Sequence, residues 1–66
     1  MKKAEIRKAI KRIFPKAEIR FIYNLAEVIN WRELDGGKYA TRYSGKADFY
    51  EVLRKNNLID YVTIGA

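Results

Sequence analysis

The sequence predicts a small α+β domain with two layers, in which two helices lie on a mainly antiparallel sheet. Two segments repeat apolar residues at helical spacing, and other segments alternate apolar and polar residues or are rich in β-branched residues, as strands are. The resulting order is α-β-β-β-α-β. At 66 residues the chain has room for a single domain, residues 1–66, and its apolar fraction of 48% is enough for a hydrophobic core.

The first helix is predicted at residues 2–14. Pro15 disfavours helical geometry at the residue before it, so the helix should end near Phe14. Lysines and arginines occupy the opposite side of this helix. Its apolar side is one stripe about 100° wide, formed by Ile6, Ile10, Ile13 and Phe14.

The first strand is predicted at residues 17–23, where apolar and polar residues alternate. Ile19, Phe21 and Tyr23 should face one side, and Glu18, Arg20 and Ile22 should face the other. This alternation is the clearest strand pattern in the chain.

Residues 24–35 fit either a helix or a strand. A cap-like spacing at the start and a glycine after the end favour a helix. The alternative is a hairpin, in which a strand at 28–34 turns at Asp35-Gly36 and returns through 38–43. An Asp-Gly pair between two such segments is a strong hairpin signal, so we favour the hairpin.

The second helix is predicted at residues 45–56, with Phe49, Val52 and Leu53 as its buried stripe. Two consecutive asparagines at its end suit a left-handed exit from the helix. Residues 58–64 are rich in β-branched side chains and predict a final strand.

Positive charge is concentrated at the start of the chain. The first twenty residues contain eight lysines and arginines and two glutamates, which accounts for the whole net charge of +6. Residues 21–66 contain six basic and six acidic residues. A one-sided positive field attracts polyanions, so this distribution indicates DNA or RNA as the partner.

The composition offers little for catalysis. The chain has neither cysteine nor histidine, which excludes thiol and imidazole nucleophiles and Cys/His metal sites. The carboxylates are spread singly, and the adjacent glycines lack the spacing of a phosphate-binding loop. We therefore expect a protein that is not an enzyme and holds no metal or cofactor.

Two groups of residues are candidates for nucleic-acid contacts. The first should hold backbone phosphates along the first helix and just after it. The second interleaves aromatic and basic side chains on the predicted hairpin, where exposed rings would stack on unpaired bases. The phosphate group is Lys3, Arg7, Lys8, Lys11, Arg12, Lys16 and Arg20, and the base-contacting group is Trp31, Arg32, Tyr39, Arg42 and Tyr43.

Other functions fit the same features. A small adaptor or inhibitor, of a kind that phages or mobile elements encode, would dock its basic helix on an acidic protein. Its final strand, at a sheet edge, would pair with a partner or a second copy. A cationic amphipathic helix also suits an anionic membrane surface. A homodimer stays open, since so short a chain commonly gains stability by association.

The sequence also carries an expectation about location. Charged residues interrupt the segment after Met-Lys-Lys, so it lacks the apolar region of a signal peptide. No apolar run approaches the ~20 residues that a membrane span needs. Together with the absence of cysteine, these features predict a cytoplasmic protein.

Overall fold

Two helices, three strands and one 3₁₀ helix make up the part of the chain that the structure describes. The structure is a computed structural model, and it describes residues 1–37 and 46–65. The predicted α+β class is confirmed. In chain order the elements are α1 (Lys3–Ile13), β1 (Ile19–Ile22), β2 (Leu25–Val28), the 3₁₀ helix (Trp31–Gly37), α2 (Lys46–Lys55) and β3 (Val62–Ile64).

The described strands form one sheet with β2 in the centre. β1 is antiparallel to β2, and the pair Ile22–Leu25 closes a two-residue turn between them. β2 is parallel to β3. A parallel pair needs a crossover connection, and here that connection includes α2. Within the described residues the sheet is therefore mixed, with one antiparallel and one parallel pair.

Helix α1 agrees with its prediction to within one residue at each end. It ends at Ile13, and Phe14 has left the helical conformation with φ −124° before Pro15. At its start, the Glu5 carboxylate accepts a hydrogen bond of 3.3 Å from the backbone N–H of Lys2. The predicted apolar stripe faces the core: Ile6, Ile10 and Phe14 are buried, and Ile13 is partly buried.

Aromatic contacts join the elements at the centre of the core. The Phe49 ring, from α2, is stacked on the Phe14 ring with their centroids 4.8 Å apart. The Trp31 ring meets Phe49 edge-on at 6.2 Å. Phe49 therefore links the end of α1 to the 3₁₀ helix, and such ring pairs stabilise a core beyond the area that they bury.

The structure corrects the prediction for residues 24–35. The strand lies earlier than expected, at Leu25–Val28, and Trp31–Gly37 form a 3₁₀ helix instead of the first arm of a hairpin. The Asp-Gly pair lies inside this helix and does not form the predicted turn. The predicted second arm, 38–43, lies outside the described residues.

Burial of Trp31 and Leu34 favours the 3₁₀ helix over the predicted strand. With three residues per turn, positions i and i+3 lie on the same side of such a helix. The exposed fractions of Trp31 and Leu34 are 4% and 1%, whereas Arg32 and Glu33 between them are exposed. In a strand Trp31 and Leu34 would face opposite sides, so one of them would have to leave the core.

Helix α2 agrees with its prediction and ends in a Schellman motif. Asn57 has φ +59°, the left-handed conformation that the consecutive asparagines predict. The Leu58 amide donates a hydrogen bond of 2.8 Å to the Leu53 carbonyl oxygen. The Asn57 amide donates one of 3.1 Å to the Arg54 carbonyl oxygen. Because the chain is still turning after Leu58, the final strand is Val62–Ile64 and is shorter than predicted.

Asn30 holds the segment before β1 against the segment after β2. Its side-chain oxygen accepts a hydrogen bond of 2.7 Å from the Glu18 amide. Its side-chain nitrogen donates one of 2.9 Å to the Lys16 carbonyl oxygen. These two bonds fix the loop that joins α1 to the sheet.

Replacement of Asn30 by alanine should lower the free energy of unfolding by about 1–2 kcal/mol, because both backbone groups lose their partner. Urea unfolding followed by Trp31 fluorescence measures this change. Asn30→Asp keeps the acceptor and loses the donor, so its midpoint should lie between those of the wild type and the alanine variant. An unchanged midpoint for Asn30→Ala would show that the bonds contribute nothing to stability.

Candidate nucleic-acid interface

Six cationic side chains lie together on α1 and just after it, and all of them are exposed. Four-residue spacing sorts five of them into two rows along the helix, because residues i and i+4 lie on the same face. Lys3, Arg7 and Lys11 form one row, and Lys8 and Arg12 form the other. We call the whole set the α1 basic face: Lys3, Arg7, Lys8, Lys11, Arg12 and Lys16.

Contacts of the first row show that it borders β1. The Lys3 Nζ atom lies 5.8 Å from the centroid of the Phe21 ring, and the Arg7 Cζ atom lies 5.3 Å from it. At the other end of the row, the Lys11 Nζ atom donates a hydrogen bond to the Ala17 carbonyl oxygen. Helix α1 therefore runs antiparallel to β1, and its N-terminal end lies beside the end of that strand.

The charges of the α1 basic face are not compensated within the described part of the chain. No described carboxylate oxygen lies within 4 Å of any of the six side-chain nitrogen groups. By contrast, Arg20 is paired with Glu27, and Arg54 is paired with Glu51. Exposed cations without a neighbouring carboxylate bind a polyanion with the least competition.

Arg20 does not join this face. Adjacent strand residues point to opposite sides of a sheet, so Arg20 lies on the side opposite to Phe21 and α1. Its Nε atom donates a hydrogen bond of 2.9 Å to the Glu27 carboxylate across the β1–β2 pair. The sequence places Arg20 among the phosphate contacts, whereas the structure separates it from the helix and neutralises its charge.

Trp31 is a core residue. The hairpin prediction requires it to lie on an exposed sheet face, and this part of the prediction is wrong. Only 4% of it is exposed, and its indole N–H donates a hydrogen bond of 3.2 Å to the Gly65 carbonyl oxygen. The guanidinium carbon of Arg32 lies 5.2 Å from the Trp31 ring centroid. An indole held in this way cannot stack on a base unless it leaves the core. The other predicted members, Tyr39, Arg42 and Tyr43, lie outside the described residues.

A depression of about 500 Å³ lies beside the 3₁₀ helix, on the Arg20 side of the sheet. Glu18 and Glu33 line it together with Arg20 and Arg32, so the charges around it are balanced. Balanced charge gives this depression no preference for phosphate, so the α1 basic face is the stronger candidate for an anion site.

Tyr23 is an exposed aromatic residue whose position the sequence pattern predicted wrongly. The strand alternation predicts that Tyr23 faces the same way as Phe21. The structure puts it instead in the two-residue turn between β1 and β2, where it is 90% exposed. Ile22 and Leu25, which flank the turn, are 41% and 43% exposed. The asparagine that follows Tyr23 was the available signal, since asparagine is common in tight turns.

Comparisons with known proteins give no functional assignment. No protein-family model matches the chain, and neither a curated protein nor a solved structure was found to be similar to it. Neither helix in the described residues is long and apolar enough to cross a membrane. In the same residues, no three acidic side chains are grouped so that they could hold a metal ion.

Proposed function

We propose that this protein is a small, non-enzymatic nucleic-acid-binding protein with an accessory or regulatory role. The α1 basic face would hold backbone phosphates. The observation that carries this proposal is the exposure of six cations along α1 and just after it, without a described carboxylate beside any of them.

The geometry of α1 supports the proposal because it presents the cations on a rigid support. Ile6, Ile10 and Phe14 anchor the opposite side of the helix in the core. Cations four residues apart repeat about every 6 Å along a helix, which is comparable to the separation of successive phosphates along a strand. The long side chains can adjust to the backbone while the helix stays fixed, as in phosphate contacts that do not read sequence.

The membrane-surface alternative is less favourable in this fold. An amphipathic helix that lies on lipid buries its apolar face among the acyl chains. In α1 that face is packed in the core, where Ile6, Ile10 and Phe14 are at most 1% exposed. The helix would have to detach from the domain to bind in that way.

An acidic protein surface is the second candidate partner, and length dependence separates it from nucleic acid. Affinity for a polyanion should increase with oligonucleotide length, because more overlapping sites become available. A specific protein partner would instead compete at one site of fixed size. We also propose that the protein is cytoplasmic, a location that fits either partner.

The salt dependence of binding tests the proposal. We expect four to six phosphate contacts from the α1 basic face, and therefore a slope of log K against log salt of about −4 to −5 on duplex DNA. On single strands the slope should be about −3 to −4. Anisotropy of labelled duplex DNA, single-stranded DNA and duplex RNA, titrated at several salt concentrations, gives these slopes.

Trp31 fluorescence is unsuitable as the binding signal because the indole is buried, so the label should be on the nucleic acid. A slope near zero would contradict the proposal. The absence of binding to all three nucleic acids at low salt would also contradict it and would point to a protein partner.

A further inference from the structure

We propose that Tyr23 is the base-contacting residue of this protein and that the preferred ligand is a single strand, or an unpaired end, of nucleic acid. This inference rests on the proposed function and extends it from phosphate binding to base stacking. Tyr23 is 90% exposed at the tip of the β1–β2 turn. Three further observations support this role: the backbone at Tyr23, the cations near it and the chemistry of its surroundings.

The backbone at Tyr23 is unfavourable for a large side chain. Its φ is +56°, in the left-handed region, where a bulky residue is a genuine outlier. Asn24, the other residue of the turn, does not have a positive φ. In two-residue turns with positive φ only at the first position, glycine is the usual residue there. Glycine at this position would therefore make the fold more stable. The presence of tyrosine indicates that its ring has a role outside the fold.

Cations of the α1 basic face lie at the same end of the molecule. Lys3 and Arg7 both lie over the ring of Phe21, which precedes Tyr23 by two residues. Two strand residues span about 7 Å, a distance that lysine and arginine side chains can bridge. A base stacked on Tyr23 would therefore place its neighbouring phosphates within reach of Lys3 and Arg7.

This arrangement favours single strands over duplexes. A base can stack on a protein ring only when its face is uncovered, as in a single strand, a loop or an end. Aromatic residues beside a cationic track are the usual means by which proteins bind single strands without reading sequence. A duplex would still contact the phosphate-binding cations but would gain nothing from Tyr23.

The surroundings of Tyr23 argue against insertion into a membrane. Ile22 and Leu25 beside it are exposed, at 41% and 43%, so the turn has an apolar tip, and the charges behind that tip decide against lipid. On the same side of the sheet, the next residue pair along the strands is Arg20 with Glu27, which form an ion pair. Insertion of this turn into lipid would bring a charged pair close to the apolar layer, whereas a stacked base needs only the tip.

Tyr23→Gly is the decisive variant because it removes the ring and also relieves the backbone. We expect its thermal midpoint to rise by about 3–6 °C. Its affinity for a labelled thymidine strand of about 12 nucleotides should fall by about tenfold, while its affinity for a duplex of that length should stay within about twofold. Tyr23→Phe, which keeps the ring, should bind both ligands like the wild type.

Asn57→Gly is the matched control. Asn57 is the other described non-glycine residue with a positive φ, and it lies at the end of α2. Its side chain has no aromatic ring. This variant changes the same kind of backbone position and should leave both affinities unchanged. A loss of single-strand affinity in Asn57→Gly as large as that in Tyr23→Gly would overturn the inference.

Two other results would also overturn the inference. The first leaves the proposed function intact, and the second contradicts the proposed function as well. If Tyr23→Gly binds the thymidine strand as the wild type does, and the strand still binds in a salt-dependent manner, base stacking is wrong and phosphate binding stands. If the wild type binds neither nucleic acid but binds vesicles of phosphatidylserine through Tyr23, both proposals are wrong.

Discussion

Replacement of Trp31 by alanine should destabilise the protein by about 3–5 kcal/mol, which is a large part of the stability of so small a domain. The indole is 4% exposed, contacts Phe49 edge-on and donates a hydrogen bond to the Gly65 carbonyl oxygen. Its removal leaves a cavity between the 3₁₀ helix and α2. Thermal unfolding followed by circular dichroism measures the loss, since the variant has no tryptophan to report it.

Two further variants separate packing from other causes. Trp31→Phe keeps an aromatic ring but loses the indole N–H, so we expect a smaller loss of about 1–2 kcal/mol. Arg32→Ala removes the exposed neighbour in the same 3₁₀ helix and should change the stability by no more than about 0.5 kcal/mol. If Trp31→Ala unfolded like the wild type, the indole would lie on the surface, as the hairpin prediction requires.

The two helices and the first strand could be predicted because the information about them is local. The stripe containing Ile6, Ile10 and Phe14 needs no knowledge of the rest of the chain, and Pro15 marks the end of α1. The left-handed exit at Asn57 is likewise a property of a few adjacent residues. In these segments burial, capping and backbone preference all favour the same structure.

The middle of the chain could not be predicted in this way because tertiary packing decides it. An Asp-Gly pair favours a turn, but the burial of both Trp31 and Leu34 excludes a strand and fits the three-residue turn of a 3₁₀ helix. The i, i+3 spacing of these residues was present in the sequence. However, this spacing does not show that the Trp31 ring packs against Phe49, and that contact is what holds the indole in the core.

The candidate site was predicted in part. Helical periodicity alone places Lys8 and Arg12 opposite the core, and the structure leaves them exposed. Pairing across a sheet depends on register, so the neutralisation of Arg20 by Glu27 was not visible in the sequence. The exposure of Tyr23 depends on where the turn begins. The predicted strand includes Tyr23, whereas β1 ends at Ile22, and this shift of one residue moves the side chain from a strand to a turn tip.

Reversal of the charges at Lys8 and Arg12 should weaken nucleic-acid binding by at least tenfold at moderate salt and lower the salt slope by about 2. Both side chains are exposed on the side of α1 away from the core, so Lys8→Glu with Arg12→Glu should remain folded. If the proposed function is correct, two phosphate contacts disappear in this variant and two repulsive charges replace them.

A double variant in α2 distinguishes a local surface from the overall charge. Lys46→Glu with Lys55→Glu lowers the formal net charge from +6 by the same four units and also changes exposed residues near the two ends of a helix. If phosphates bind on α1, this control should lose much less affinity than the α1 variant, since long-range attraction is largely screened beyond about 8–10 Å at physiological salt. Equal losses in the two variants would mean that the protein binds through its net charge without a defined surface. That result would remove the structural basis for placing the phosphates on α1.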